Sequence, residues 1–179
     1  MKENLHLWID RIETPIGELW IAADREGNLR ATAFTEVEKG LRAMLNDHYR
    51  DCALILDPSR DPHGFATRLR EYFGGELLAI DSLPVRTAGT DFQREVWRAL
   101  REIPCGTTVS YGQLATRIKR PKAVRAVGLA NGSNPIGVVV PCHRVIGSDG
   151  SLTGYGGGIE RKRWLLEHES KAQRLLFAT

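Results

Sequence analysis

Val109-Ser110-Tyr111-Gly112-Gln113-Leu114-Ala115-Thr116-Arg117-Ile118-Lys119-Arg120-Pro121-Lys122-Ala123-Val124-Arg125 is the stretch that decides how the second half of this chain folds. Ser110 and Gln113 have the spacing of a capping box, in which each side chain satisfies a backbone N–H that a helix start leaves open. The short helix they open turns Leu114, Ala115 and Ile118 inward. The spacing predicts a next helix with Pro121 at its first residue and Asn131-Gly132 at its end. Upstream, Thr90 and Gln93 form a second capping box, and Phe92, Val96, Ala99, Leu100 and Ile103 line one face of a longer helix stopped by Pro104-Cys105-Gly106. Two short helices across a tight turn, preceded by a longer one, are the pattern of a helix-turn-helix. The run Ile136–Val140 and the turn Ser148-Asp149-Gly150 would supply a wing.

On the third helix Ala123, Val124, Val127 and Ala130 are expected to face inward. Lys122, Arg125, Ala126 and Leu129 then share the outer face. Arg117 to Arg125 contains five basic residues and no acid. Such a run suits phosphate contacts, although a short basic helix alone is more often the mark of a solvated face. Residues 1–90 hold 11 Lys and Arg against 15 Asp and Glu, and residues 91–179 hold 14 against 7. An acidic half followed by a basic half implies two modules, the second facing a polyanion. The boundary is placed at the Pro84–Gly89 linker, giving domains 1–88 and 89–179.

The first half reads as a scaffold. Leu5–Ile12, Glu18–Ala23 and Leu29–Phe34 are strand candidates, with turns at Pro15-Ile16-Gly17 and Glu26-Gly27-Asn28. An amphipathic helix is expected over 36–50, a loop over 57–64, and a short helix from Phe65 to Phe73. The fold class is therefore α+β with a small antiparallel sheet, joined to a mostly helical winged helix-turn-helix domain. His6, His48 and His63 are scattered, and Cys52 has no nearby base.

Three cysteines, Cys52, Cys105 and Cys142, form neither a CxxC pair nor an even framework. No metal site is expected, and a reducing, cytoplasmic compartment is. No apolar run reaches the roughly 20 residues that span a bilayer. No signal-peptide core is present either, because Asp10 and Arg11 interrupt the early apolar residues.

Chemistry concentrates in Val138-Val139-Val140-Pro141-Cys142-His143-Arg144-Val145. A free cysteine, with a pKa near ~8.5, is only a few per cent thiolate at neutral pH, so a nucleophilic cysteine needs an activating neighbour. His143 is adjacent, but in a strand it would face the other way, so Pro141 must introduce a bend. A histidine base also needs a group on its second nitrogen, and Glu160, Glu167 and Glu169 are the candidates in this half. Against this stands the reading of Cys142 as a small hydrophobe ending a core strand. Local chemistry leaves those two readings open.

Pro141-Cys142-His143-Arg144-Val145 resembles the active-site signature of the O6-alkylguanine-DNA alkyltransferases, the methylated-DNA–protein-cysteine methyltransferases. Val109 to Ala115, Arg125-Ala126-Val127-Gly128, Asn131 to Pro135, Gly154 to Gly158 and Trp164 to Glu169 resemble the family in order and spacing. The resemblance is close over residues 90–169 and looser before them, where it implies an RNase H-like sheet, and it points to the bacterial stand-alone type. It implies single-turnover, irreversible transfer of the alkyl group from O6-alkylguanine in duplex DNA to Cys142, with no cofactor. His143 would be the base, acting through a water, and Glu169 would orient it. Tyr111 would promote rotation of the nucleotide and protonate the departing guanine. Arg125 would replace the flipped base through the minor groove, with Lys122 and Ala126 on the same DNA face.

The resemblance also makes the Val140 and Cys142 carbonyls acceptors for the guanine amino group and places Tyr155 in the pocket wall. Asn134 would hold the turn before Cys142. A monomer with possible cooperative binding on DNA is implied. Gly156 stands where relatives often carry serine, which implies a roomier pocket that accepts bulkier alkyl groups or O4-alkylthymine. Family zinc ligands are not recognisable. Non-catalytic alkyltransferase-like proteins, which replace the cysteine, and a winged-helix regulator are the alternatives.

Overall fold

The computed structural model describes residues 2–176, with side chains through 171, and divides into two compact units, Met1–Ala88 and Gly89–Thr179. In the first unit β1 (Glu3–Thr14) and β2 (Gly17–Asp24) form a hairpin closed by Pro15-Ile16, with Thr14 opposite Gly17. Gly17 has φ 109°, the left-handed conformation that this tight connection needs and that glycine adopts without steric cost. Strand β3 (Leu29–Phe34) continues the meander. Helix α1 (Glu38–His48) follows, and then β4 (Cys52–Pro58) returns parallel to β1, pairing Glu3 with Cys52 through Ile9 with Pro58.

The sheet order is β3-β2-β1-β4. It is therefore mixed, and the expectation of a purely antiparallel sheet is corrected. The cause is α1, which carries the chain back across the sheet so that the next strand runs parallel to β1. Residues 57 and 58, read from sequence as the start of a loop, end β4 instead. Leu41 and Leu45 of α1 bury themselves against Leu7, Ile9, Ala22 and Ala31. Helix α2 (Phe65–Phe73) buries Phe65, Ala66, Leu69 and Tyr72 and contacts β1.

In the second unit α3 (Asp91–Arg101), α4 (Tyr111–Arg117) and α5 (Val124–Gly132) pack on one another. Both expected capping boxes are present, at Thr90/Gln93 and Ser110/Gln113. The Trp97 indole N–H donates to the Ala130 carbonyl at 2.7 Å, fixing α3 against α5. Helix α5 starts at Val124, later than the sequence reading placed it, and Pro121 and Lys122 lie in the preceding turn. Lys119 at φ 58° makes that turn, with Arg120 N–H bonded to Ala115 O at 2.9 Å. Val124, the first residue of α5, is 39% exposed, contrary to its expected inward place, while Val127 and Ala130 are buried as expected.

Ile136–Val140 is not a wing strand. Its amides close successive turns, Val139 to Gly137 O and Val140 to Ile136 O, and Val138 adopts φ 72°. The valines are there because the segment is buried, with Ile136 and Val138 fully enclosed. Apolar content reports burial and leaves the backbone shape open. The paired strands of this unit are β5 (Val109–Ser110) and β6 (Val145–Ile146), side by side and parallel. Helix α6 (Ile159–Leu176) follows. Among the described residues no helix is long and apolar enough to cross a membrane.

Candidate active site

Cys142 lies in a single 3-10 turn, Cys142–Arg144, between the buried turns of Ile136–Val140 and strand β6. Pro141 supplies the bend that a strand would have denied. The sulfur-bearing residue is 6% exposed and His143 and Arg144 are 0% and 3% exposed, so three polar side chains in sequence are all enclosed. Buried polar groups require partners, and α6 provides the main one.

Glu169, itself fully buried, accepts from His143 Nε2 at 2.8 Å through Oε1. It also accepts from Arg144: Nη2 reaches Oε1 at 2.9 Å and Nε reaches Oε2 at 3.0 Å. The Gly106 N–H reaches Oε2 at 3.2 Å. Arg144 Nη1 continues to the Ile103 carbonyl at 2.6 Å, beyond the end of α3. Arg144 thus ties three segments together: the end of α3, the Cys142–Arg144 turn and α6.

The electrostatics follow from this packing. Burial by itself would raise the Glu169 carboxyl, but His143 and Arg144 outweigh it and hold the group well below the usual carboxylate range. Burial lowers His143 below the ordinary imidazole value, with Glu169 opposing and Arg144 and Lys162 reinforcing the shift. A neutral imidazole beside an ionised carboxylate must carry its proton on the nitrogen facing that carboxylate. Nε2 is therefore the protonated nitrogen, and Nδ1 is left as a lone-pair acceptor. His143 Nδ1 is buried and has no hydrogen-bond partner among the described residues. Burial likewise raises the Cys142 thiol above its ordinary value, against a hydrogen bond from Asn134 and the charge of Lys162. Both shifts favour the uncharged forms, a thiol at Cys142 and a neutral imidazole at His143.

Two asparagines shape the backbone around the sulfur. Asn134 Nδ2 donates to the Val140 carbonyl at 2.8 Å, and its Oδ1 accepts from the Ile136 N–H at 3.0 Å. Asn131 Nδ2 approaches the Cys142 carbonyl at 3.5 Å. The Val140 carbonyl also accepts from the Cys142 N–H at 2.8 Å, and the Cys142 carbonyl from the Val145 N–H. Tyr111 opens α4 with its ring over Gly128, where an added Cβ would stand 3.8 Å from the ring, and its hydroxyl donates to the Thr153 carbonyl at 3.1 Å. Tyr155 is half-buried, and burial and the neighbouring Cys142 push its phenol well above the ordinary tyrosine value. A Cβ on Gly156 would meet only the Gly132 carbonyl, at 4.0 Å.

Arg125, Ala126 and Leu129 form an exposed outer stripe on α5, with Leu129 71% exposed. Lys122 is exposed as well, from the turn before the helix rather than from its face. Arg120 is not part of this surface. Its guanidinium donates to Glu95 at 3.0 Å and lies over Phe92, so it secures the turn to α3.

Of the three acidic candidates, Glu160 pairs with Arg163 and Glu167 with Lys171 on the exposed side of α6. Only Glu169 reaches His143. The sequence reading assigned no partner to Arg144, no contact to the Asn131 side chain and no role to Lys162. Lys162 is fully buried and donates to the carbonyls of Val145 at 2.6 Å and Thr153 at 2.8 Å. Its spacing from Leu165 and Glu169, both fully enclosed, puts all three on one helical stripe. A lysine on that stripe was a signal available in the sequence. In the first unit His63 packs between Trp8 and Phe65, and no cluster able to hold a metal ion occurs among the described residues.

Comparison with known proteins gives one consistent answer. Residues 91–171 match the family model for the 6-O-methylguanine DNA methyltransferase, DNA binding domain. A methylated-DNA–protein-cysteine methyltransferase of Shigella flexneri is 52% identical over 165 residues, covering 92% of this chain and 96% of its own. One from Mycobacterium tuberculosis is 47% identical over 161 residues, covering 88% and 89%. The crystal structure of a Mycobacterium tuberculosis relative in complex with DNA superposes with a TM-score of 0.75 at 42% identity, covering 94% of each chain.

Proposed function

The chain belongs to the methylated-DNA–protein-cysteine methyltransferases, and we propose that it repairs duplex DNA by moving the alkyl group of O6-alkylguanine onto its own Cys142. The observation that carries the assignment to Cys142 is the buried triad of Cys142, His143 and Glu169. The Glu169 carboxylate fixes the imidazole tautomer and leaves His143 Nδ1 as an acceptor with no partner among the described residues, on the residue that follows Cys142 in the same turn.

Chemistry on a stacked base requires the nucleotide to leave the helix. The outer stripe of α5 enters the minor groove, where small Ala126 permits close approach and Lys122 meets a phosphate. Arg125 fills the place of the extruded guanine, and the Tyr111 ring crowds the flanking phosphate. The flipped base sits between Tyr155 and the nucleophile turn, with its amino group donating to the Val140 and Cys142 carbonyls, whose orientation Asn134 and Asn131 fix.

The thiol proton passes through a water to His143 Nδ1. The resulting imidazolium is stabilised by Glu169, as in other base–carboxylate pairs. The sulfur then attacks the alkyl carbon in line with the carbon–O6 bond. That bond breaks with its electron pair on O6 as Tyr111 protonates guanine N3; the proton relocates to N1 to give the ordinary base, and the Tyr111 phenolate regains a proton from the His143 imidazolium through water. A thioether sulfur is a poor leaving group, so the alkyl carbon is not displaced again and each chain, acting as a monomer on DNA, reacts once. The open space at Gly156 admits alkyl groups larger than methyl and, by the same argument, O4-alkylthymine. A mechanism that consumes a free thiol suits a reducing compartment such as the cytoplasm.

The test is incubation with duplex DNA carrying labelled O6-methylguanine. Label should become protein-bound at no more than one equivalent per chain. A protein that binds this DNA and never acquires label would instead be a lesion-binding relative without transfer activity.

A further inference from the structure

The loop between β6 and α6 carries Tyr155 and has no regular secondary structure, and Gly150, Gly154 and Gly158 all lie in the left-handed region. Its own backbone bonds are local, Gly147 to Ser151 and Gly158 to Tyr155. Something outside the loop must therefore fix its middle. Lys162 does so: one ammonium holds the Thr153 carbonyl at 2.8 Å and the Val145 carbonyl at 2.6 Å. Val145 directly follows the Cys142–Arg144 turn and pairs with Val109 in β5. The same Thr153 carbonyl accepts the Tyr111 hydroxyl at 3.1 Å. One oxygen is thus shared by a buried cation and by the hydroxyl assigned to protonate guanine.

The cation is unusual in its surroundings. Lys162 is fully buried, and no carboxylate pairs with it among the described residues. Burying an ammonium without a counter-ion is costly, so two carbonyls are poor reason for a lysine where methionine would fill the stripe. Burial lowers its pKa, and the charge that opposes this is that of an ionised Cys142. The groups around the thiol are His143, Asn134, Lys162 and Tyr155, with Glu169 and Arg161 further affecting Tyr155.

We infer that Lys162 is a positioning residue for alkyl transfer: by holding the Thr153 carbonyl it sets the acceptor that keeps the Tyr111 hydroxyl oxygen in place until its proton turns to guanine N3, and it ties that acceptor to the Cys142–Arg144 turn. It contacts neither DNA nor the alkyl group. This rests on alkyl transfer to Cys142 and extends it to how the proton donor is placed. Misplacing a reacting group by even about 1 Å costs on the order of 10²-fold in rate, so the clamp is expected to be read in the transfer step.

The experiment is a double-mutant cycle on the single-turnover transfer rate and on affinity for O6-methylguanine duplex DNA. It uses the unaltered protein, Lys162→Met, Tyr111→Phe and the pair, with thermal unfolding recorded for each. Lys162→Met should slow transfer by about tenfold or more with DNA affinity within about twofold, and should cost less than about threefold once Tyr111 is already phenylalanine. Equal losses in both backgrounds, or a matching loss in DNA affinity, would overturn the inference. If Lys162→Met lacks a cooperative unfolding transition, Lys162→Arg replaces it in the same cycle, keeping the charge and displacing the donors. Coupling to Tyr111 is again required there. If the unaltered protein transfers no label at all, alkyl transfer itself fails, an outcome distinct from an additive cycle in an active protein.

Discussion

His143 Nε2 lies 2.8 Å from Glu169 Oε1, and neither side chain has any exposed surface. This contact fixes which imidazole nitrogen carries the proton, and leaves the other one, Nδ1, as the lone-pair acceptor. It also explains why Arg144 is buried beside it. A carboxylate enclosed with a neutral histidine needs a full positive charge to remain ionised, and Arg144 supplies that charge through two nitrogens.

Glu169→Gln keeps the shape of the side chain and removes its charge. The imidazolium that forms during thiol deprotonation then loses its stabilisation. The transfer rate should fall by about 10²-fold, within the range that positioned acid–base groups contribute. Single-turnover kinetics with O6-methylguanine duplex DNA checks this, and affinity for undamaged DNA should stay unchanged because α5 is untouched.

The same pair makes stability depend on pH, with a determinable sign. His143 is lowered in the folded protein, so below the ordinary value of about 6.5 the unfolded chain binds a proton that the folded one refuses. Glu169 is lowered too, so a second loss sets in as pH falls below the ordinary carboxylate value. Stability should therefore fall as pH drops from 7 towards 5, by at most about 1.4 kcal/mol per pH unit from the single histidine, and fall further below that. Urea unfolding across this range measures it, and His143→Gln should flatten the upper part of the slope.

Much of this site was legible in the sequence because its determinants are local. The capping boxes at Thr90 and Ser110 fix helix starts by hydrogen bonds three residues apart, and both are present as read. Pro141 before Cys142 announces a bend. Less legible was anything set by tertiary pairing. The Val138–Val140 run is apolar because it is enclosed, and its turned backbone depends on neighbours remote in sequence. Strand β4 depends on the place left for it beside β1 after α1 crosses the sheet. Val124 is exposed as the first residue of α5, ahead of the point where Val127 and Ala130 take up the inward face as read. Glu169 could be singled out from Glu160 and Glu167 by resemblance, but its link to Arg144 and the stripe it shares with Lys162 emerge only once α6 is docked.

The exposed Arg125 on α5 separates DNA handling from chemistry. Arg125→Ala should leave reaction with free O6-benzylguanine nearly unchanged, because that substrate needs no flipping. Repair of duplex O6-methylguanine should fall by roughly 10-fold or more, since the cost of unstacking is no longer offset. Parallel rate measurements on the two substrates decide it, and equal losses on both would assign Arg125 to the pocket instead.

The central claim is that Cys142 accepts the alkyl group, and locating the transferred methyl by peptide mass spectrometry after reaction with labelled duplex DNA tests it most directly. The account predicts label on Cys142 alone, at one equivalent, and none in Cys142→Ser, which should still bind DNA. Label on Cys52 or Cys105, or undiminished labelling of Cys142→Ser, would contradict it.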